Sequence, residues 1–391
     1  MDTHLHASDS PLAGLIESWT PGHTLPQGFY EREAVFALDL DLLLGRWHCA
    51  GHISDVAKAG DYLLCDVGRE SAIVVRGGDG EVRALANVCR HRGSRVCIRA
   101  RGHAAALTCP YHAWSYHLDG RLRHAREMPD GFNPDAHGLP HLQLEIIGGL
   151  IFVSFGGTPP LLTAASAAIA PMAAQYGWET ARVAARKTYS VAANWKLVLE
   201  NYHECYHCGP AHPEFSALHA LARPNHRAIT GRDAESWAAA PGGQEMFRVM
   251  HSALADGART GSRDGQLLAP LMAETVADRE CVFAEVGFLS AVLAYPDYGV
   301  IYRFMPRGVF HTDMEVLWLV RGDAVAGRDY DPDALMWLWD VTSQADKTII
   351  ERNQAGVSSR AYRPGPFSLM EPGTRQFVER YLGEMALLER S

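Results

Sequence analysis

No stretch of this sequence approaches the roughly eighteen uninterrupted apolar residues that a membrane-spanning helix needs, so no transmembrane segment is expected. Positive charge is also in short supply. The 36 Lys and Arg are outnumbered by 45 Asp and Glu, and a formal net charge of -9 argues against bulk nucleic-acid binding. The first residues, Met1 to Ser10, are polar and lack the basic-then-apolar pattern of a signal peptide, which makes a cytoplasmic location the expectation. Internal repeats and low-complexity segments are absent, so a solenoid or array is not expected. What remains is an ordinary globular composition, 47% hydrophobic and 21% charged, on a 391-residue chain long enough for two or three domains. Such a chain does not need metals or disulfides merely to fold. Its eight cysteines are therefore expected to serve metal binding or core packing, and its 19 histidines make metal chemistry worth tracing.

Three segments emerge along the chain. Residues 1–45 read as an arm with short helical stretches. Residues 46–156 read as short strands and turns, with Tyr62–Cys65, Ala72–Arg76, Val82–Asn87 and Leu150–Phe155 strand-like and a hairpin turn at Leu118-Asp119-Gly120-Arg121. Gly156 to Pro160 resembles a linker, after which residues 157–391 alternate differently. There, Asn194 to Gly209 predicts a helix, Phe283–Tyr295 and Val300–Met305 predict strands joined by Pro296-Asp297-Tyr298-Gly299, and Glu315–Val320 predicts another. A long helix follows, with Asp331 as N-cap, Pro332 at its first position and Gly356 past its end. The pattern is α+β.

Two motifs carry the chemistry. Cys89-Arg90-His91 is followed by Cys109-Pro110-Tyr111-His112, a pair of Cys-His loops suited to a Rieske [2Fe-2S] cluster. Cys89 and Cys109 would hold one iron and His91 and His112 the other, each loop giving one ligand to each iron. A structural zinc is the rival, but its usual Cys-x2–4-Cys and His-x3–5-His spacings fit poorly. Cys97, between the loops, reads as core. Segment 89–126 also holds eight arginines (Arg90, Arg92, Arg95, Arg99, Arg101, Arg121, Arg123 and Arg126) against one acid, Asp119. This is either a solvated face or a docking surface for an acidic electron donor or a neighbouring subunit.

The second motif runs from Asn201 to Pro213 and contains His207 and His212. Two histidines and one carboxylate with open positions define the facial triad of oxygen-activating Fe(II) sites. The spacing places His207 in the last turn of the Asn194–Gly209 helix, with Gly209-Pro210 breaking it so that His212 turns back. On the helix from Pro332, the residues Leu335, Leu338, Thr342, Asp346, Ile349 and Asn353 fall within about 80° of one another. Asp346 thus shares the apolar face as the candidate third ligand, whereas Asp340 and Glu351 point roughly opposite. Glu204 lies three residues before His207, within reach of its imidazole. Cys205 and Cys208 make a Cys-x-x-Cys spacing, but without the βαβ context of a thioredoxin-like site.

With both motifs laid out, the chain resembles the large (alpha) subunit of Rieske non-haem iron oxygenases from about Trp47 to Tyr381. Cys89-Arg90-His91-Arg92-Gly93 and Cys109 to Trp114 are similar to the family's cluster loops, Asn194-Trp195-Lys196 through His212 to its iron helix, and Ala345-Asp346 to Glu351 to its third-ligand helix. The resemblance implies an all-β Rieske domain beside a helix-grip, START-like catalytic domain, with a mononuclear Fe(II). It also implies O2 as co-substrate and head-to-tail homotrimers in which one subunit's cluster serves its neighbour's iron. Electrons would come from NAD(P)H through a separate flavin and iron–sulfur reductase, and this chain has no dinucleotide fingerprint of its own. Glu204 stands where ring-hydroxylating members carry Asp. That residue, the wording around Tyr206-His207-Cys208 and the stretch Arg360 to Pro366 resemble the branch acting on quaternary ammonium compounds such as betaines, carnitine and choline. The implied reaction is hydroxylation or oxidative N-demethylation. A methylammonium group has no proton to donate and would rest on aromatic faces, for which Tyr206, Phe215, Phe288, Tyr295, Tyr302 and Phe304 are candidates. An aromatic-acid ring hydroxylase or O-demethylase, a Rieske electron-transfer protein and a zinc-stabilised START-like binding protein are the competing readings.

Overall fold

The structure is a computed structural model that describes residues 12–219, 243–274, 276 and 279–388, so the stretch Met1–Ser10 lies outside the described residues. The arm forms α1 (Ala13–Ser18), α2 (Gly28–Glu31) and α3 (Glu33–Leu44). Ten strands follow: β1 (His48–His52), β2 (Asp61–Val67), β3 (Glu70–Arg76), β4 (Val82–Ala86), β5 (Arg101–His103), β6 (Leu107–Thr108), β7 (Ser115–Tyr116), β8 (Leu122–His124), β9 (His141–Ile147) and β10 (Leu150–Ser154). Seven of them make one sheet in the order β1-β10-β9-β4-β3-β2-β5, and β6-β7-β8 make a small second one. The Asp-Gly turn predicted at 118–121 joins β7 to β8, with Gly120 at φ +91°.

Beyond residue 156 come α4 (Thr163–Gln175), β11 (Arg182–Val191), α5 (Trp195–Tyr202), α6 (Cys208–Ala211), α7 (Pro213–Leu218), β12 (Phe247–Ala253), β13 (Glu280–Val286), β14 (Ser290–Ala294), β15 (Gly299–Gly308), β16 (His311–Val320), α8 (Pro332–Val357) and α9 (Pro372–Leu388). The strands form one antiparallel sheet, β11-β16-β15-β14-β13-β12, and α8 packs against β11, α5 and α7. The α+β expectation holds. Asp331 caps α8 by accepting from the Ala334 amide at 2.8 Å, and Pro332 opens the helix.

Three details differ from the sequence expectation. The single strand predicted over Phe283–Tyr295 is two, β13 and β14, reversed at Gly287 (φ +63°). The turn was hidden because Phe288 and Leu289, within it, are themselves buried. Helix α8 continues to Val357, so Gly356 lies inside its last turn. Its buried face also drifts: Leu335, Leu338, Thr342 and Ser343 give way to Ile350 and Gln354, in place of Ile349 and Asn353.

Buried charge pairs join the parts. Asp39 of α3, fully buried, accepts from the Trp195 indole at 3.0 Å and the Tyr381 hydroxyl at 2.6 Å, and pairs with the equally buried Lys196 ammonium. Tyr30 donates to Glu200 at 2.8 Å. A second knot ties the two larger sheets. Antiparallel register sets Arg303 of β15 directly opposite Glu315 of β16. Arg101 of β5 also donates to Glu315 at 2.8 Å, while Arg186 of β11 lies 3.7 Å from it and pairs with Asp55. Burial alone would push the Glu315 carboxyl up, but the guanidinium groups of Arg303, Arg101 and Arg186 outweigh it and hold it at about 2.

This shift has a stability consequence. Because the folded carboxyl titrates below the unfolded one, its contribution is complete above about pH 4.5 and fades as pH falls towards about 2. Glu315→Gln should cost about 3 kcal/mol in urea unfolding at pH 7. The gap from wild type should narrow markedly at pH 3; an equal gap at both pH values would contradict the electrostatic account.

Candidate functional site

Both cluster loops turn on the same device. In the first, the Gly93 amide donates to the Cys89 carbonyl (2.9 Å) and the Cys89 amide to the Ser94 carbonyl (2.8 Å), with Gly93 at φ +76°. In the second, the Ala113 amide donates to the Cys109 carbonyl (3.1 Å) and the Cys109 amide to the Trp114 carbonyl (2.8 Å), with Ala113 at φ +58°. A left-handed alanine is strained, and such strain persists only where the surroundings impose it. The loops bring like residues together. Cys89 and Cys109 are buried side by side, and the His91 and His112 rings lie 4.7 Å apart nearer the surface. Trp114 stacks on His91 at 5.0 Å. Two thiols inside and two imidazoles outside are the donor set of a Rieske cluster, with the histidine side facing out. The Tyr116 hydroxyl, not singled out from the sequence, sits 3.2 Å from the Cys89 sulfur.

The second site draws on α8 and the stretch after α5. His207 does not lie in the last turn of a helix running from Asn194: α5 ends at Tyr202, and Gly209 and Pro210 belong to the short α6 instead of breaking a longer helix. Glu204 causes the interruption. Its carboxylate accepts from the Tyr206 amide and, at 3.2 Å, from the His207 amide, a local capping that competes with helical bonding. Its other oxygen lies 2.5 Å from His207 Nδ1, which leaves Nε2 turned towards Asp346. Asp346 Oδ1 is 2.9 Å from His212 Nε2 and 3.3 Å from His207 Nε2. Among the described residues, these three form the one group of at least three potential ligands whose donor atoms all lie within 4.8 Å of one another.

The arrangement suits a divalent cation. Burial lowers the His207 pKa, but hydrogen bonds and charge from Asp346 and Glu204 more than reverse this and raise it to about 9. The same carboxylates that retain a proton there would retain a metal ion. Side-chain exposure is 18% for His207 and 17% for Asp346 but 2% for His212, so the site opens on one side. Asp340 and Glu351 face elsewhere, Asp340 to Tyr189 and Lys187, Glu351 to Lys347 and the Ala192 amide.

The six aromatic candidates separate. Tyr302 bonds Ser343, three residues before Asp346, at 2.8 Å, and groups with Phe304 and with Tyr202. Phe215 and Tyr295 meet around His219 and Trp339. Phe288 instead packs on Trp195 and Phe377, and Tyr206 is exposed. Tyr202, His219, Trp339 and Ser343 were missed; of these, Trp339 and Ser343, seven and three residues before Asp346 on α8, left a periodic signal. His219 donates through Nδ1 to the Phe215 carbonyl and accepts from the Tyr295 hydroxyl, since burial lowers its pKa to about 4 and keeps it neutral. Cys205 and Cys208, expected as packing or metal residues, are paired in a disulfide.

Comparison with known proteins decides the family. Residues 178–386 match the ring hydroxylating alpha subunit (catalytic domain) model, and residues 46–142 match the Rieske [2Fe-2S] domain model. The chain belongs to the Rieske ring-hydroxylating oxygenase alpha-subunit family. The glycine betaine monooxygenase oxygenase subunit of Chromohalobacter salexigens is 35% identical over 98% of this chain and 91% of its own length. The carnitine monooxygenase oxygenase subunit of Escherichia coli is 37% identical over 51% of this chain and 54% of its own. A solved quaternary ammonium Rieske monooxygenase shares the fold at a TM-score of 0.74 and 22% identity, covering 96% of this chain and 98% of that one. This Rieske oxygenase thus has a [2Fe-2S] cluster and a mononuclear iron as its cofactors, for which the two donor sets above are suited.

The Tyr116 contact carries an expected outcome. Hydrogen bonds to cluster sulfurs raise the reduction potential. Tyr116→Phe should therefore lower the cluster potential by about 40 mV, the equivalent of one hydrogen bond of about 1 kcal/mol, in a spectroelectrochemical titration. An unchanged potential would show that the hydroxyl does not bond the cluster thiolate.

Proposed function

We propose that this chain is the oxygenase component of a monooxygenase that N-demethylates a small quaternary ammonium compound of the betaine or carnitine type. The observation that carries the reading is the near full-length likeness to a glycine betaine monooxygenase oxygenase subunit. The site supports it: aromatic faces of Tyr202, Tyr302 and Phe304 group on the Ser343 side of Asp346, and a methylammonium binds such faces without a proton to give. Residues 46–156 act as the cluster domain and 157–391 as the catalytic domain, with the 1–45 arm packed on the latter. Cys89, Cys109, His91 and His112 hold the cluster; His207, His212 and Asp346 hold the iron.

When bound, the cluster supplies electrons one at a time and the mononuclear iron supplies the point at which dioxygen is reduced. The balance follows from the substrate. One methyl C–H becomes C–OH, the second oxygen atom leaves as water, and two electrons and two protons are consumed. The hydroxymethylammonium then loses a proton and expels formaldehyde, leaving the tertiary amine. Glu204 fixes the His207 ring through Nδ1, and in a head-to-tail trimer it would also reach a cluster histidine of the next subunit. Exposed Val88, Ile98 and Tyr111 beside the cluster loops, and Tyr206, Leu369 and Met370 on the catalytic side, provide apolar area for that contact. A separate reductase, fed by NAD(P)H through flavin, docks on the arginine-rich face. Arg95, Arg101 and Arg121 of that face are committed to Asp66, Glu315 and Asp119, while Arg90, Arg92, Arg99, Arg123 and Arg126 stay exposed for an acidic partner.

A substrate panel with a reductase tests the reading. Glycine betaine or carnitine should yield one formaldehyde per dioxygen consumed, whereas turnover confined to aromatic acids would overturn it. Asp346→Ala should retain the cluster spectrum while iron per chain falls from about three to about two and turnover stops. Glu204→Gln should bind both cofactors yet re-oxidise its cluster more slowly, by about tenfold or more, in single turnover. A wild-type rate would remove the bridging role.

A further inference from the structure

Cys205-Tyr206-His207-Cys208 carries a disulfide whose two sulfurs bracket His207 in the sequence. The Cα atoms are 4.8 Å apart, within the span a disulfide bridges without backbone movement. Its position differs from that of the other cysteines. Cys49, Cys65, Cys89, Cys97, Cys109 and Cys281 are all buried and unpaired, and burial pushes the Cys49 thiol up to about 12 and the Cys97 thiol up to about 11. Cys205 is only partly buried and Cys208 is buried, and the two flank His207 at the candidate iron site.

The disulfide is also mechanically placed. The Cys208 carbonyl accepts from the His212 amide at 3.0 Å and from the Ser216 hydroxyl at 2.9 Å, so the sulfur bridge ties the His207 turn to the segment that carries His212. Without the bridge, the Cys205–Cys208 end of the turn keeps one long hydrogen bond, Cys208 amide to Cys205 carbonyl at 3.3 Å, beside the Glu204 cap. A ring of four residues removes less freedom from the unfolded chain than a long loop would, so its effect is local.

We infer that Cys205 and Cys208 form a reversible thiol–disulfide pair that sets how firmly His207 is held. The effect on iron rests on the reading of His207 as an iron ligand; the sulfur chemistry does not. The oxidant is a peroxide, which an oxygenase releases when dioxygen reduction outruns substrate oxidation. One cysteine sulfur attacks a peroxide oxygen, the O–O bond breaks, and a sulfenic acid and water form. The second sulfur then displaces the hydroxyl, forming the S–S bond and a second water. Two electrons leave the sulfur pair, and both thiol protons end on water. A dithiol reverses the change by exchange.

The test uses the holoenzyme treated either with hydrogen peroxide or with dithiothreitol, alkylated under denaturing conditions and read by peptide mass spectrometry. The peptide containing Cys205 and Cys208 should be unalkylated after peroxide and doubly alkylated after dithiothreitol, and should cycle between the two. In parallel, a ferrous chelator should strip mononuclear iron about tenfold faster from the reduced form, the cluster absorbance serving as the internal control. Cys205→Ser should release iron at the fast rate under both treatments. Full alkylation of both cysteines after peroxide would overturn the proposal, as would equal iron release from the two forms. Retention of mononuclear iron by His207→Ala would instead overturn the reading of the iron site, and the thiol chemistry would then be judged from the peptide alone.

Discussion

The Asp346 carboxylate, placed on the buried face of a long helix, governs how the catalytic half is arranged. An ionised carboxylate taken from water without compensation is costly, so this position demands cationic or metal partners. Two imidazoles from the stretch after α5 meet it, His212 at 2.9 Å and His207 at 3.3 Å, and α8 is thereby held in register with that stretch. The other acids of the same helix illustrate the contrast. Asp340 and Glu351 find lysines, a tyrosine and a backbone amide on outer faces, where a charge costs little. Of three acids within a few turns, only one is placed where it must be shared.

The cluster loops were legible in the sequence because their geometry is local. Each Cys and His pair lies within four residues, and the reversal needs one left-handed residue per loop. Asp346 was legible because helical periodicity places it on the buried face, even though that face drifts to Ile350 and Gln354 further on. The path between Asn194 and His212 was not. Periodicity favoured a continuous helix, and what stops it is a side chain, Glu204, capping amides two and three residues ahead. The aromatic residues fared unevenly for a related reason. Phe288 belongs to a hairpin turn and Tyr302 to a strand, and whether a ring meets the core or the site depends on that difference.

Charge composition showed a basic segment but not how its charges are spent. Arg101 looked like part of a surface excess; still exposed, it donates to Glu315, 214 residues away in sequence, alongside Arg303 and Arg186. The contact depends on how two sheets dock, which no local pattern encodes. The segment carrying the cluster loops is therefore joined to strands β15 and β16 of the same chain through the carboxylate of Glu315.

The arm offers a different lesson. Asp39 neutralises Lys196 and receives the Trp195 and Tyr381 donors, all of them buried and three of them on helices far along the chain. A shortened chain that began at the cluster domain would deprive the Lys196 ammonium and the Trp195 indole N–H of the carboxylate they share. The arm is therefore part of the catalytic core, although the cluster segment separates the two in the chain. A fusion partner attached on that side has to leave α3 free to dock.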